Sequence, residues 1–269
     1  MVNIDQLIGT AKQIRRDIVT MTSAAQSGHP GGSLSAADIL VVLYFEIMNI
    51  DPSQPLLTSR DRFILSKGHA SPVMYATLAR RGFFSPDEFK DFRQLNSRLQ
   101  GHVHIITPGV DMSAGSLGQG LSFALGTALA GKLDTSPYRV YAMVGDGECD
   151  EGQIWEAAMA ASFYNANNLT LFVDRNRIQN DRFTDQVMDL EPLADKWKAF
   201  GWKVFETDGH DINSIINTVK EAQKEEKQPQ VIIAHTIKGK GVSFMENNPD
   251  FHGKAANKEQ LVEALKELE

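Results

Sequence analysis

Ile4, Leu7, Ile8, Ala11, Ile14 and Ile18 recur at three- and four-residue intervals, the spacing that gathers apolar side chains on one face of a helix. The pattern ends before the breaker Ser27-Gly28-His29-Pro30-Gly31-Gly32. A second helix is expected from Ser35, whose hydroxyl can cap the first turn while Asp38 takes the acidic place of a capping box. Farther along, the period changes. Arg139 to Val144 is a short, mostly apolar run that stops at Gly145, as a strand buried in a parallel sheet does. From there the pattern alternates: helix over 151–166, strand over 169–173, helix over 190–200, strand over 202–206, helix over 211–224 and strand over 231–234, with a terminal helix from Lys258. The expected class is α/β, a parallel sheet wrapped by helices. We read one domain over 1–269, helical in 1–135 and alternating in 136–269. Ligands on such sheets bind beyond the carboxyl ends of the strands, which places the expected site near Gly145 and Asp174.

Composition narrows the function classes without choosing among enzymes. With 42% hydrophobic and 23% charged residues, the chain is ordinary for a globular protein. Its longest apolar run, Ile39 to Phe45, is far short of the roughly 20 residues that a membrane-spanning helix needs. A net charge of −7 without a basic cluster repels a polyphosphate backbone, so neither nucleic acid nor membrane is an expected partner. Cys149 is the single cysteine and cannot form an internal disulfide, and Met1 to Asp5 lacks the features of a secretory signal. A cytoplasmic location is expected.

The chemistry begins at two strand ends. Gly145-Asp146-Gly147 follows the first clear strand, and Asp174-Arg175-Asn176 ends the next, so their loops should be neighbours. The first loop opens like a G-x-G-x-x-G nucleotide fingerprint, but Asp150 stands in the third glycine's place and Asp146 aims an anion at the phosphate site. A hard divalent cation resolves that conflict, because Mg²⁺ takes oxygen ligands and is held by a few protein groups together with ligand phosphates. Asp146 and Asn176 supply such oxygens. Gly145 would permit the turn, and Gly147 would let a backbone N–H approach a phosphate. Gly-Asp-Gly after a strand, with an asparagine 30 residues beyond Asp146, resembles the signature of thiamine-diphosphate enzymes. In that family the position of Ile178 gives a backbone carbonyl to the metal.

Further motifs, in order along nearly the whole chain, resemble those of transketolases. They are Ser27-Gly28-His29-Pro30-Gly31-Gly32, Ser66-Lys67-Gly68-His69-Ala70, Gly101-His102, Gly115-Ser116-Leu117-Gly118-Gln119-Gly120, Glu151-Gly152-Gln153-Ile154-Trp155-Glu156-Ala157 and His235-Thr236-Ile237-Lys238-Gly239-Lys240-Gly241. The resemblance implies thiamine diphosphate bound with Mg²⁺ or another divalent cation such as Ca²⁺. The diphosphate would lie on this chain and the aminopyrimidine in a second domain. It also implies roles: His29 and His102 toward the donor's hydroxyls, His69 toward diphosphate and substrate, and the backbone of Gly115, Ser116 and Leu117 along the aminopyrimidine. Glu151 and Glu156 would link cofactor sites across a subunit interface. Neutral imidazoles suit donor and acceptor roles near pH 7.

The plainer readings stand beside these. Each histidine could be a surface residue, His102 with His104 could bind a metal, and Glu151 and Glu156 could be acids favoured by a helix dipole. One departure from the family is visible. Where transketolases usually carry two histidines after the lysine-rich loop, this chain has only His252, leaving Lys238 or Lys240 to meet the diphosphate. The family's pyrimidine-binding domain has no counterpart here. The expectation is therefore the N-terminal subunit of a split transketolase, working on sugar phosphates with a C-terminal partner subunit, two copies of each. The alternatives are one chain of a deoxyxylulose-phosphate synthase and a non-catalytic thiamine-diphosphate-binding partner.

Overall fold

The computed structural model describes residues 3–180 and 182–269. Asn3 accepts the Gln6 N–H at the head of α1 (Ile4–Ala25), and Gln26 ends that helix in the left-handed region, φ 49°. Leu7, Ala11, Ile14 and Ile18 are buried as their spacing requires, whereas Ile8 is 49% exposed and lies off the packed face. Two short helices, α2 (Pro30–Ser35) and α3 (Ala37–Val42), replace the single helix expected from Ser35. The capping-box reading fails because both side chains find buried tertiary partners. Ser35 donates to Asp174 Oδ2 at 2.7 Å, and Asp38 accepts from Arg15 Nη1 at 3.0 Å and lies 2.8 Å from His210 Nδ1.

The remaining elements follow as β1 (Arg62–Leu65), α4 (Ser71–Arg81), α5 (Gln119–Leu133), β2 (Val140–Gly145), α6 (Gly152–Phe163), β3 (Leu169–Arg175), β4 (Ile178–Gln179), β5 (Arg182–Phe183), α7 (Thr184–Val187), α8 (Leu193–Ala199), β6 (Lys203–Asp208), α9 (Ile212–Ala222), β7 (Gln230–His235) and α10 (Lys258–Glu267). Five parallel strands form one sheet in the order β1, β2, β3, β7, β6, and β4 pairs antiparallel with β5. β1 was not legible in the pattern. It lies in the part read as helical, yet Arg62 pairs with Val140 and Leu65 with Met143. The expected helix over 190–200 starts only at Leu193, since Pro192 keeps the residue before it out of helical conformation.

Alternation along the strands divides the core. Tyr141 and Met143 pack on the side of α1, α3, α4 and α9, while Val140, Ala142 and Val144 pack on the side of α5, α6 and α8. β3 is central and buried at every residue. Its carboxyl end, with those of β1, β2 and β7, carries the loops beginning at Ser66, Asp146, Asn176 and Thr236. No described helix is long and apolar enough to cross a membrane.

Candidate active site

A cavity of about 210 Å³ lies at those strand ends, lined by Gly32, Lys67, Gly145, Asp146, Asn176 and Lys238 among others. Its floor is kept open by two glycines that packing alone does not demand. A Cβ on Gly145 would come no closer than 3.9 Å to any neighbour, and one on Gly32 no closer than 3.8 Å. A side chain at either position would stand in space left for a ligand. At Gly147 packing also demands a glycine: a Cβ there would lie 2.3 Å from Gln179 Cβ. Its N–H also turns back to Asp146 Oδ1 at 2.8 Å.

Asp146 is almost fully buried. Besides Gly147, it accepts from Arg175 Nη1 at 3.1 Å and from the Arg177 N–H at 2.5 Å. Burial and the neighbouring Asp174 charge push its carboxyl pKa up, against Arg175. Asn176 donates from Nδ2 to Asp174 Oδ2 at 3.1 Å, which turns its oxygen the other way, where it accepts the Ile178 N–H at 3.1 Å. One carboxylate, one amide oxygen and the Ile178 carbonyl thus border a single cavity. This is a hard oxygen set, with too few protein ligands to enclose a cation and room for phosphate or water to complete the shell. The residues present fit a divalent cation and a diphosphate.

Two lysines frame that group: Lys238, one of the two the sequence offered for the diphosphate, and Lys67, which sequence reasoning did not single out for its chemistry. Lys67 is buried, ion-paired with Asp174, and donates to the Gly32 carbonyl at 2.8 Å. Asp174 also accepts from Ser35 and Thr236. Burial alone would push its carboxyl up, but Lys67 and these hydrogen bonds hold it below the ordinary value. Lys238 donates to the Ile178 carbonyl at 2.9 Å and to His252 Nδ1 at 2.8 Å. Burial and the Lys67 charge lower its pKa to about 8, so a bound anion would favour its charged form. Lys240, the other candidate, is directed to Glu246 at 3.5 Å.

Across the cavity stand the histidines. The His29 ring centroid is 5.1 Å from that of His69, 6.1 Å from His102 and 5.4 Å from His252. His29 Nδ1 is buried without a hydrogen-bond partner, an orphaned polar atom inside a cluster of such groups. His102 lines a second hollow with Arg93, Gly101 and Gly115. Arg93, which no motif pointed to, holds a positive φ of 61° and approaches Gly101 so closely that a Cβ there would lie 2.9 Å from its Cζ. His104 lines the same hollow and makes a local contact, its Nδ1 accepting the Ile106 N–H at 3.2 Å. Among the described residues no three His, Cys, Asp or Glu side chains are grouped to hold a metal, so the pairing of His102 with His104 gains no third ligand.

Burial, then the charges of His102, Arg93 and Lys238, lower His29 to about 4. Burial and Lys238 lower His252 to about 3. His69 is pushed down by burial and by His252, and His102 by burial and Arg93. These rings are neutral at pH 7 and free to exchange hydrogen bonds with hydroxyls. Their folded pKa values lie below the unfolded value of about 6.5, so the unfolded chain takes up protons first as pH falls. Stability from this source is complete above about pH 6.5 and is lost as pH falls toward 4 and 3. Urea unfolding between pH 7 and 5 should therefore show stability falling by up to about 1.4 kcal/mol per pH unit for each such histidine. The double variant His29→Asn/His252→Asn should lose the share of that slope these two contribute, leaving that of His69 and His102; an unchanged slope would contradict the assignment.

Gly115, Ser116 and Leu117 are exposed, and Leu117 reaches the main cavity. Glu151 and Glu156 are not brought to the cavity. Both are exposed on the outer side of α6 and its N-cap.

The family described as "Transketolase, thiamine diphosphate binding domain" matches residues 6–268. The chain is 42% identical to one of the subunits of an apulose-4-phosphate transketolase from Phocaeicola vulgatus, over 94% of this chain and 90% of that one. It is 45% identical to a 6-deoxy-6-sulfo-D-fructose transketolase subunit of a Clostridium species, over 90% of this chain and 88% of that one. A solved transketolase from Campylobacter jejuni superposes with a TM-score of 0.94 at 33% identity, covering 99% of this chain and 43% of that one.

Proposed function

Because the chain belongs to the family of transketolase thiamine-diphosphate-binding domains, we propose that it is the diphosphate- and metal-binding subunit of a two-chain transketolase. A partner subunit would carry the pyrimidine-binding domain, in a cytoplasmic heterotetramer with two copies of each chain. The observation that carries this reading is the cavity itself. The oxygens of Asp146, Asn176 and Ile178 and the cations Lys67 and Lys238 share it with His69 and His252.

Asp146, Asn176 and the Ile178 carbonyl would hold Mg²⁺ or a similar cation. Lys238 and His69 would meet the diphosphate, and the Gly115 to Leu117 backbone the aminopyrimidine. Thiamine diphosphate supplies the carbanion chemistry that breaks a carbon–carbon bond beside a ketone. The chain's own part is to hold the cofactor and to give the sugar's hydroxyls neutral imidazoles, His29 and His102, that take or return protons. We take the donor to be a ketose phosphate and the acceptor an aldose. Support for a partner comes from the exposed apolar side chains of the packed pair α5 and α6. Phe123, Met159 and Phe163 face outward there, Phe163 at 77% exposure. Glu156 lies on the same outer side.

His102→Ala, assayed with the partner present, should lower donor kcat/KM by about 10²–10⁴-fold while cofactor affinity changes little. His69→Ala should weaken cofactor binding as well. A donor kcat/KM that His102→Ala leaves intact would return His102 to an ordinary surface loop.

A further inference from the structure

Glu148, two residues past Asp146, is buried although no role in metal, diphosphate or substrate binding has been assigned to it above. One carboxylate oxygen accepts from Ser66 Oγ at 2.5 Å and from the Gly118 N–H at 2.9 Å, and the other from the Gly145 N–H at 3.0 Å. Ser66 Oγ accepts in turn from the Gly120 N–H at 3.0 Å, so the hydroxyl both donates and accepts. These bonds join the end of β1, the end of β2 and the loop entering α5. Burial pushes the Glu148 carboxyl pKa up, and the three donors work against that, offsetting part of the cost of burying the group. The contact leaves no slack: a Cβ on Gly120 would lie 2.4 Å from Ser66 Cβ.

Thiamine diphosphate must be gripped at both ends. The turn at Gly145 to Gly147 faces its diphosphate, and the tip at Gly115 to Leu117, beside Gly118, faces its aminopyrimidine. We infer that Glu148 is a positioning residue that buckles these two elements together through Ser66, setting the distance between the two grips. The inference rests on the cofactor reading above.

The test titrates the chain with thiamine diphosphate and separately with inorganic pyrophosphate, both in Mg²⁺. Ser66→Ala takes the hydroxyl out of the buckle without touching the diphosphate turn. Glu148→Gln keeps the shape but places an amide N–H against a donor whichever way it is turned. Both variants should bind thiamine diphosphate about 10-fold more weakly, as expected for a lost hydrogen bond to a charged group. Pyrophosphate affinity of Ser66→Ala should stay within about 2-fold, and amide exchange over residues 115–120 should speed up in both variants. Wild-type thiamine-diphosphate affinity in both variants, or equal weakening of the two ligands in Ser66→Ala, would overturn the inference. If the wild-type chain binds neither ligand, the cofactor reading itself falls, and the inference with it.

Discussion

Calorimetric titration of Asp146→Asn with thiamine diphosphate and Mg²⁺ should show affinity reduced by about 100-fold or more, with little metal dependence left. Losses of about 10–100-fold are usual when a group merely supporting a ligand is removed, and Asp146 would be a ligand itself. Asparagine is the milder replacement, keeping the shape and one acceptor oxygen although its amide N–H must face a donor. Position within a loop suggests that alanine would be harmless to the fold, but Asp146 accepts from Gly147, Arg175 and Arg177 in a buried setting. Alanine would orphan those donors at a cost of about 1–3 kcal/mol each where they stay dry, mixing a folding defect with a binding defect. Asn176→Ala should lose metal dependence in the same way. Wild-type affinity and metal response in Asp146→Asn would show that the ligand assignment is wrong.

The largest expected effect concerns activity. Purified alone, with saturating cofactor and Mg²⁺, the chain should show no ketol transfer; adding the partner subunit should restore it. In transketolases an acid of the pyrimidine-binding half activates the cofactor, and Glu148, Glu151 and Glu156 are poorly placed for that work. The first is consumed by three donors and the other two are exposed away from the cavity. Two-fold symmetry is the commonest arrangement among oligomers, and a two-fold assembly of both chains would let each site be closed by the partner's domain. The same mixing experiment, run with Phe163→Glu, should require more partner for half-maximal activity, since a charge would be buried in an apolar contact. Robust turnover by the isolated chain would refute the two-chain reading.

Much of this site was legible because its chemistry is local. Gly145-Asp146-Gly147 and Asn176 stand at consecutive strand ends in the sequence, and the five-stranded sheet places those ends side by side. What could not be read is what depends on distant partners. Lys67 and Asp174 are 107 residues apart, and nothing in either neighbourhood says that one will neutralise the other. Ser35 looked like a helix cap because capping is a local option; the buried Asp174 carboxylate competes for the same hydroxyl and wins. β1 was missed because four residues are too few to display a period, and its neighbours are charged. A second demand on Gly147 was not legible, since the residue that crowds it, Gln179, stands 32 positions away and is held in the hairpin of β4 and β5.

The seat of Lys238 on the Ile178 carbonyl has a consequence for how metal and cofactor depend on each other. Among the buried groups around the cavity, the carboxylates Asp146, Glu148 and Asp174 are matched in number by Lys67, Arg175 and Lys238. On the proposed reading, a divalent cation arriving alone would have to dislodge Lys238 and would leave the site strongly positive. A diphosphate arriving alone would find the cation seat filled by an ammonium committed elsewhere, and would leave the site strongly negative. Together they would nearly cancel, and Lys238 would be free to meet the phosphates. The two ligands should therefore bind with positive heterotropic coupling, each raising the affinity of the other by the same factor.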